Sequence, residues 1–350
     1  MLSGDQAMNK GKVRVNNIFK YATSELSQDA FICWLLSHLT DAGWLIDAQI
    51  RECAISFMNK ILGSKGYYWN QDMRITAIHK QYKTKDGMID VLVEVDDLKI
   101  IIEDKTFTCS HGNQVNRYKK YLLDEGVAEK NIICVFYKIE EQDSLEPNVD
   151  FEFTRKILLG IFRPYGATIQ NTIFTDYLEY LEWIDGEVAA WKVLPIKQWN
   201  GRAYIGFFTH LKDTILNNQV VGWGYVHNKE GGFMGLWWVD SFTSQQFDAI
   251  GFTEDIGEEI YIQFEDNKIV VKYSKDPQKN YDTNAVRSMR WKIYMYFKQR
   301  LAEKNCDFNK KVFRQGNCMT VGYVEYDESN YEEKLMLVRH TLEELLQNGF

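Results

Sequence analysis

Apolar and polar residues recur along this chain with two periods, and the changes between them predict where helices and strands lie. A spacing of three to four residues indicates an amphipathic helix, whereas alternation or a short apolar run indicates a strand. In chain order, the first 138 residues predict two helices (22–39 and 48–62), three strands (73–84, 88–95 and 98–107), a helix (112–126) and a strand (131–138). Strands joined through a crossover helix predict an α/β fold, with a mixed sheet flanked by helices.

A second series of elements begins after Pro195, and we expect a domain boundary close to it. A helix at 171–191 is expected to close the first domain, residues 1–192, and residues 193–350 are expected to form a second. The second domain is predicted to contain three helices (204–217, 285–305 and 331–347) and five strands (222–227, 232–239, 259–265, 268–274 and 319–327). Its short strands and turns favour an α+β region with antiparallel hairpins.

Residues 96–97, Asp-Asp, lie between two strand patterns and predict a tight hairpin turn. If these two residues alone form the turn, Asp90 lies directly opposite Glu103, with Cβ atoms roughly 4.5–5.5 Å apart. If the turn lies one residue later, Asp90 lies opposite Lys105 on the same face. Side chains alternate along a strand, so Glu103 and Lys105 share one face while Asp104 points to the other.

Composition and charge narrow the class of protein. The chain is 45% hydrophobic and 26% charged, which is typical of a globular protein. Its net charge of −8 counts against a large nucleic-acid groove, because phosphate binding depends on Lys and Arg. An acidic balance still suits a site that holds cations, and basic stretches remain at 79–85 and 116–120.

Cysteine usage and hydropathy bear on the compartment. The six cysteines are scattered without a CxxC spacing, which argues against a zinc site and for a reducing, cytoplasmic setting. No apolar run reaches the roughly 18 residues of a membrane span, so we expect no membrane partner. The polar N-terminus does not have the pattern of a secretory signal.

The run of isoleucines at 100–102 predicts a buried strand, and it ends in the triplet Glu103-Asp104-Lys105. Two carboxylates that face each other raise one another's pKa, and a divalent cation removes that conflict. Mg²⁺ prefers carboxylate oxygens and water, and we expect Mn²⁺ to substitute for it. A cluster of this kind can hydrolyse a phosphodiester. The residues by themselves leave two alternatives open, a solvated ion pair and a buried ion network of structural role only.

These residues resemble the signature of the PD-(D/E)XK phosphodiesterase superfamily, which has the restriction-endonuclease-like fold. Asp90 is followed by the triplet 103–105 at the end of the next strand, although Ile89 stands where that signature has proline. Gln114 and Tyr118, at i and i+4 of the next helix, resemble the Q-x-x-x-Y element of a subgroup related to RecB and lambda exonuclease.

The run SELSQDAFICWLL also resembles the first helix of a bacterial and phage-encoded branch, with Glu25 at its glutamate position. The resemblance covers residues 16 to about 138, and the core that it implies is helix, three strands, helix and strand. It implies four metal-binding groups: the carboxylates of Glu25, Asp90 and Glu103 and the backbone carbonyl of Asp104. It implies five catalytic residues: Asp90, Glu103, Lys105, Gln114 and Tyr118.

Each implied role has a simpler alternative. Glu25 can be an acid in the first helical turn, stabilised there by the helix dipole. Gln114 can be a solvated helix residue, and Tyr118 can be a core residue with its hydroxyl hydrogen-bonded. Lys105 is implied to orient or activate the attacking water, with Gln114 and Tyr118 positioning it, the water or the nucleic-acid backbone.

The implied activity is Mg²⁺-dependent hydrolysis of phosphodiester bonds, in DNA first and RNA second, in restriction, phage defence or mobile-element biology. Whether cleavage is endo- or exonucleolytic is left open. The alternative is an inactive nuclease fold that binds nucleic acid or a protein partner. Residues 193–350 are the candidate surface for a protein partner or a homo-oligomer. The adjacent Trp237 and Trp238 favour core packing over base stacking, because aromatic residues on strands usually fill a core.

Overall fold

The computed structural model describes residues 14–105, 114–141, 148–216, 220–228, 231–239, 250–252, 257, 259–310 and 312–350. The chain divides into two compact units, Met1–Glu187 and Val188–Phe350. The observed boundary therefore lies five residues before the one that the sequence predicts between residues 192 and 193.

The first unit contains five α-helices and five strands among its described residues, two more elements than its sequence pattern predicts. In chain order these elements are α1 (Glu25–Ser37), α2 (Ala48–Gly63), β1 (Ile75–Thr84), β2 (Gly87–Val95), β3 (Leu98–Lys105), α3 (Gln114–Asp124), β4 (Ile132–Lys138), β5 (Phe151–Thr154), α4 (Arg155–Phe162) and α5 (Thr172–Ala189), with a 3₁₀ turn at Ile18–Lys20 ahead of them. The two unpredicted elements are β5 and α4, which are four and eight residues long and too short for a clear periodic signal. The predicted C-terminal end of β3 and the predicted start of α3 lie within 106–113, outside the described residues.

Five strands form one mixed sheet in the order β1-β2-β3-β4-β5. The pairs β1/β2 and β2/β3 are antiparallel, whereas β3/β4 and β4/β5 are parallel. This sheet confirms the prediction of a mixed α/β architecture. Strand β3 lies at its centre, and all but one of its side chains are buried.

The hairpin turn is the predicted one. Val95 pairs with Leu98, so Asp96 and Asp97 alone connect β2 to β3, and Asp96 takes a left-handed φ of 50°. The register continues to Val91, which pairs with Ile102, and the ladder ends there. It therefore stops one residue short of pairing Asp90 with Glu103.

Helices cover both faces of this sheet. On one face, Phe57 of α2 stacks on Phe153 at 4.2 Å and contacts Tyr137, which is in register with Asp104. On the other face, Tyr118 and Leu122 of α3 pack in one apolar cluster with Ile101. Because Ile101, Glu103 and Lys105 share a face of β3, the Glu103 and Lys105 side chains lie on the α3 side.

The second unit contains an antiparallel sheet in the order β10-β9-β8-β7-β6, which confirms the predicted antiparallel hairpins. Its described elements are α6 (Gly201–Thr214), β6 (Val220–Asn228), β7 (Gly231–Val239), β8 (Glu259–Glu265), β9 (Lys268–Ser274), α7 (Thr283–Ala302), β10 (Cys318–Glu325) and α8 (Tyr331–Asn348). Trp238 is buried in its core with residues of all three helices, as core packing predicts, whereas the neighbouring Trp237 is half-buried. Over the described stretches of the chain, no helix is long and apolar enough to cross a membrane.

Candidate functional site

Three carboxylates converge on the ammonium group of Lys105 at the end of β3. Lys105 Nζ lies 2.8 Å from Glu103 Oε1, 3.9 Å from Glu25 Oε2 and 4.0 Å from Asp90 Oδ2. These residues come from α1, β2 and β3, so the fold assembles the cluster from positions up to 80 residues apart. The structure thus brings together Glu25, Asp90, Glu103 and Lys105, four of the residues that the sequence singles out.

The end of the β2–β3 ladder explains how Asp90 reaches this cluster. Beyond Val91 the two main chains no longer pair, and Asp90 Oδ2 accepts a hydrogen bond from the backbone N–H of Asp104 at 3.0 Å. A carboxylate thereby replaces the missing ladder acceptor. Asp90 is fixed at the edge of β3 with one oxygen 4.0 Å from the Lys105 ammonium.

Burial and charge both act on the titration of the cluster. Burial, and then the charge of Asp90, raises the pKa of Glu103 to about 7, against the lowering effect of Lys105. Burial also raises the pKa of Asp90, and the N–H of Asp104 opposes that effect. Burial lowers the pKa of Lys105, but the hydrogen bond to Glu103 and the acidic charges outweigh it, so its net pKa is raised. Lys105 is therefore a cation at neutral pH, beside a carboxyl group that is partly protonated.

Several buried oxygens in this region have no hydrogen-bond partner among the described residues. They include Glu103 Oε2 and both carboxyl oxygens of Asp104. The Asp104 side chain is fully buried on the opposite face of β3 from Lys105, and burial raises its pKa well above the usual value. Its carboxyl group is therefore not part of the cluster around Lys105, and a role for Asp104 in the site rests on its backbone.

Two residues that the sequence did not single out complete the cluster. Asp29 of α1 is fully buried, and burial together with the Asp90 charge raises its pKa to about 7. The Gln81 amide, on β1, donates from Nε2 to Asp29 Oδ2 at 3.0 Å and to Asp90 Oδ1 at 3.2 Å. Asp29 could have been found from its spacing, because it lies one helical turn after Glu25. Gln81 carries no such signal.

Gln114 and Tyr118 lie on the same side of the sheet as Glu103 and are joined to each other. The Tyr118 ring is buried among apolar residues of α3 and the sheet. Its hydroxyl is hydrogen-bonded to the Gln114 side chain and the Met88 backbone, while burial and then the Glu103 charge raise its pKa. Gly87 permits this contact, since a Cβ there would lie 3.2 Å from the Tyr118 hydroxyl. Tyr118 is thus a core residue with its hydroxyl hydrogen-bonded, as the simpler alternative expects, and it lies close to the cluster.

Two lysines of α3 near the site are paired with acidic neighbours. Lys119 Nζ lies 2.8 Å from Glu129, and Lys120 Nζ lies 3.0 Å from Asp124. Arg117 is exposed on the same helix. A continuous rail of free cations along α3 is therefore not formed by these lysines.

The acidic residues supply part of the ligand set that a cation of the Mg²⁺ type needs. Within the described ranges, no three His, Cys, Asp or Glu side chains form a ready group of metal ligands. Mg²⁺ commonly uses only one or two carboxylates, with water and substrate phosphates as its remaining ligands. Asp90 and Glu103 supply such a pair, and the unpartnered Glu103 Oε2 is a buried acceptor that a cation would satisfy.

Comparison with known proteins yields no match: no family model, no curated protein and no solved structure is significantly similar to this chain. The functional interpretation therefore depends on the geometry of this cluster and on the motifs in the sequence.

Proposed function

We propose that this protein is a divalent-metal-dependent nuclease that hydrolyses phosphodiester bonds, with DNA as its first substrate and RNA as a second. The observation that carries the proposal is the convergence of Glu25, Asp90 and Glu103 on Lys105. A cluster of perturbed acids beside a buried lysine is typical of a catalytic site. Restriction, phage defence or mobile-element biology is the setting that we infer from the resemblance.

The residues of the chain have separate tasks in this proposal. Asp90 and Glu103 would hold Mg²⁺ or Mn²⁺, with Glu25 acting through water and the Asp104 carbonyl as a further ligand. In a strand, the N–H and C=O of a residue point to the same edge, so the Asp104 carbonyl faces the edge where its N–H meets Asp90. The bound cation would lower the pKa of water and neutralise charge on the phosphate.

Lys105 provides a positive charge and hydrogen-bond donors beside these acids. Its ammonium can orient the attacking water, and it can stabilise the charge that develops on a phosphate oxygen. Glu103 Oε2 lacks a partner among the described residues, so it is the Glu103 oxygen that is available to a cation. Gln114 and Tyr118 would position Lys105, the metal-bound water or the nucleic-acid backbone from α3.

The mixed sheet supports a restriction-endonuclease-like core for the first unit. The order α1, α2, β1–β3, α3 and β4, with antiparallel β1–β3 and β4 added in parallel, contains the helix, three strands, helix and strand that the resemblance implies, with α2 as an additional helix. In this arrangement the acidic strand end lies at the point where pairing changes from antiparallel to parallel. We infer that the first unit carries the chemistry and that the second contributes a partner or oligomer contact.

A second candidate is the same fold without turnover, binding nucleic acid or a protein. Two observations favour it: Lys105 already neutralises Glu103 at 2.8 Å, and Lys119 and Lys120 are paired with acids. This candidate predicts that the chain binds no Mn²⁺ at millimolar concentration, which calorimetry measures directly.

Cleavage assays on the full chain test the proposal. Supercoiled plasmid, linear duplex, single-stranded DNA and single-stranded RNA are incubated with the protein and Mg²⁺, Mn²⁺ or EDTA. Wild type should cleave at least one DNA substrate in the presence of metal only. Asp90→Asn should lower the rate by more than about a hundredfold, beyond the usual cost of losing an outer-shell contact.

Glu94→Gln is the matched control for this experiment. Glu94 lies on the same strand as Asp90, but it pairs with Lys99 at 2.6 Å and lies apart from the Lys105 cluster. We expect this variant to cleave like wild type. Equal behaviour of wild type and Asp90→Asn on all four substrates would refute catalysis at this site.

A further inference from the structure

Gln81 has an unusual backbone for a residue inside a strand. Its φ is 54°, in the left-handed region that side chains other than glycine, asparagine and aspartate rarely adopt. The β1–β2 register pairs Lys80 with Val91 and Tyr82 with Ile89, but it passes over Gln81 and Asp90 between them. A strained backbone of this kind persists only where the surrounding structure holds it, and it is often found at functional sites.

The side chain of Gln81 uses both of its amide N–H groups on carboxylates. Nε2 lies 3.0 Å from Asp29 Oδ2 and 3.2 Å from Asp90 Oδ1. An amide nitrogen has two donors and no acceptor, so one nitrogen can serve two acids without repulsion. The second oxygen of Asp90 is held separately by the N–H of Asp104.

Both oxygens of Asp90 are thus fixed by hydrogen bonds from different strands. Without Gln81, Asp90 would keep one of these two bonds and its carboxyl plane could rotate about it. The same amide also connects Asp90 to Asp29 of α1, the helix that supplies Glu25 to the cluster. Gln81 therefore connects Asp90 of β2 to the acidic residues of α1.

We propose that Gln81 is a positioning residue, which orients the Asp90 carboxylate for cation binding by bridging it to Asp29. This inference rests on the proposed function and assigns a role to a residue outside the recognised motif. Outer-shell hydrogen bonds of this type orient metal-binding carboxylates, and their loss commonly costs ten- to a hundredfold in metal affinity.

Gln81→Gly tests the contribution of the side-chain amide separately from that of the left-handed backbone. Glycine adopts a positive φ without steric cost, so the variant removes the hydrogen bonds while retaining the strand path. We expect Mn²⁺ binding, measured by calorimetry, to weaken by about ten- to a hundredfold, with no fall in melting temperature. The Mg²⁺ concentration for half-maximal cleavage should rise by a similar factor, while the rate at saturating Mg²⁺ changes less.

Two further variants complete the design. Asp96→Gly places glycine at another left-handed position of the same sheet, φ 50° in the β2–β3 turn, and should leave Mn²⁺ affinity unchanged. Gln81→Asn tolerates the left-handed φ and keeps the amide on a shorter side chain. It should restore part of the affinity lost in Gln81→Gly.

The outcomes distinguish this inference from the function on which it rests. Wild-type Mn²⁺ affinity in Gln81→Gly, with an active wild type and an inactive Asp90→Asn, would overturn the positioning role alone. Weaker binding accompanied by a lower melting temperature would assign Gln81 a structural role and also overturn it. A wild type that neither binds Mn²⁺ nor cleaves any substrate would refute the proposed function itself.

Discussion

Replacing Lys105 with methionine tests whether the acidic cluster is built to accept a cation. Methionine keeps an unbranched side chain of similar length but removes the charge that lies 2.8 Å from Glu103. Glu103 is then a buried acid with no cationic partner. We expect the metal-free protein to be destabilised, and we expect Mg²⁺ to restore most of the loss.

The size of the effect follows from the exposure of each pair. The Glu103 side chain is 1% exposed and Lys105 is 9% exposed, so this pair is buried, whereas Glu25 is 37% exposed and its longer contact contributes little. Removing one partner of a buried pair costs about 3–5 kcal/mol. The lower end applies here, because Glu103 has a pKa of about 7 and can take up a proton. At about 2–4 °C per kcal/mol for a unit of this size, the melting temperature should fall by roughly 6–12 °C.

Calorimetric melting of the full chain in EDTA and in Mg²⁺ measures both parts of this prediction. A cation that binds only the folded state stabilises it by about 2.7 kcal/mol at a hundredfold excess over Kd, which is close to the expected loss. Lys272→Met is the matched control, because Lys272 is similarly buried and lies 2.8 Å from Glu265, away from any acidic cluster. It should lose stability, and Mg²⁺ should stabilise it only as much as it stabilises wild type.

A Lys105→Met variant that is destabilised but insensitive to Mg²⁺ would refute the reasoning. That result would identify a buried ion network of structural role, since the acids would then need the lysine itself and no other cation. A Mg²⁺ response of Lys105→Met no larger than that of wild type and Lys272→Met would also refute it, because the cation would then not replace the missing ammonium group.

Three other predictions concern neighbours of the cluster. Because the pKa of Asp29 is raised to about 7, this acid destabilises the fold increasingly as pH rises towards 7, and Asp29→Asn in EDTA should be more stable by up to about 4 kcal/mol at pH 8. The gain should shrink towards zero near pH 4 in urea unfolding, and a pH-independent difference would contradict it. Gly87→Ala adds a Cβ 3.2 Å from the Tyr118 hydroxyl at a φ of 144°, and should cost at least about 1 kcal/mol in the same assay. Tyr118→Phe should lose about 1 kcal/mol of stability and keep its cleavage rate within roughly tenfold of wild type, and a larger loss of rate would instead indicate a direct catalytic role.

The first unit shows how far periodicity and turn chemistry determine a fold. The two-residue turn at Asp96 and Asp97 sets the register of the hairpin, and the alternation of side chains along β3 places Glu103 on the face of Lys105. These are local properties, so the sequence predicts them. Strand β5 is too short for a pattern, and it forms because β4 offers it an unpaired edge.

The candidate site was predictable where it depends on strand alternation and unpredictable where it depends on a departure from regular structure. Asp90 meets the cluster through a ladder that ends at Val91 and a side-chain bond to the Asp104 backbone. Gln81 contributes through a left-handed φ that no residue preference indicates. Departures of this kind cost stability, so they are found where the surrounding contacts hold them in place.

The charge balance of the cluster favours a ligand over a purely structural role. Four acids, Glu25, Asp29, Asp90 and Glu103, act electrostatically on one another, and the Lys105 ammonium group lies within 4.0 Å of three of them. Burial raises the pKa values of Asp29, Asp90 and Glu103, and apolar residues of similar volume would stabilise such a core at least as well. At low pH, protons neutralise part of the negative charge of these acids, and at neutral pH Lys105 neutralises part of it. A divalent cation would neutralise this charge at the pH where the acids are ionised. Phosphodiester hydrolysis at such a site requires the acids to be ionised and the cation to be bound.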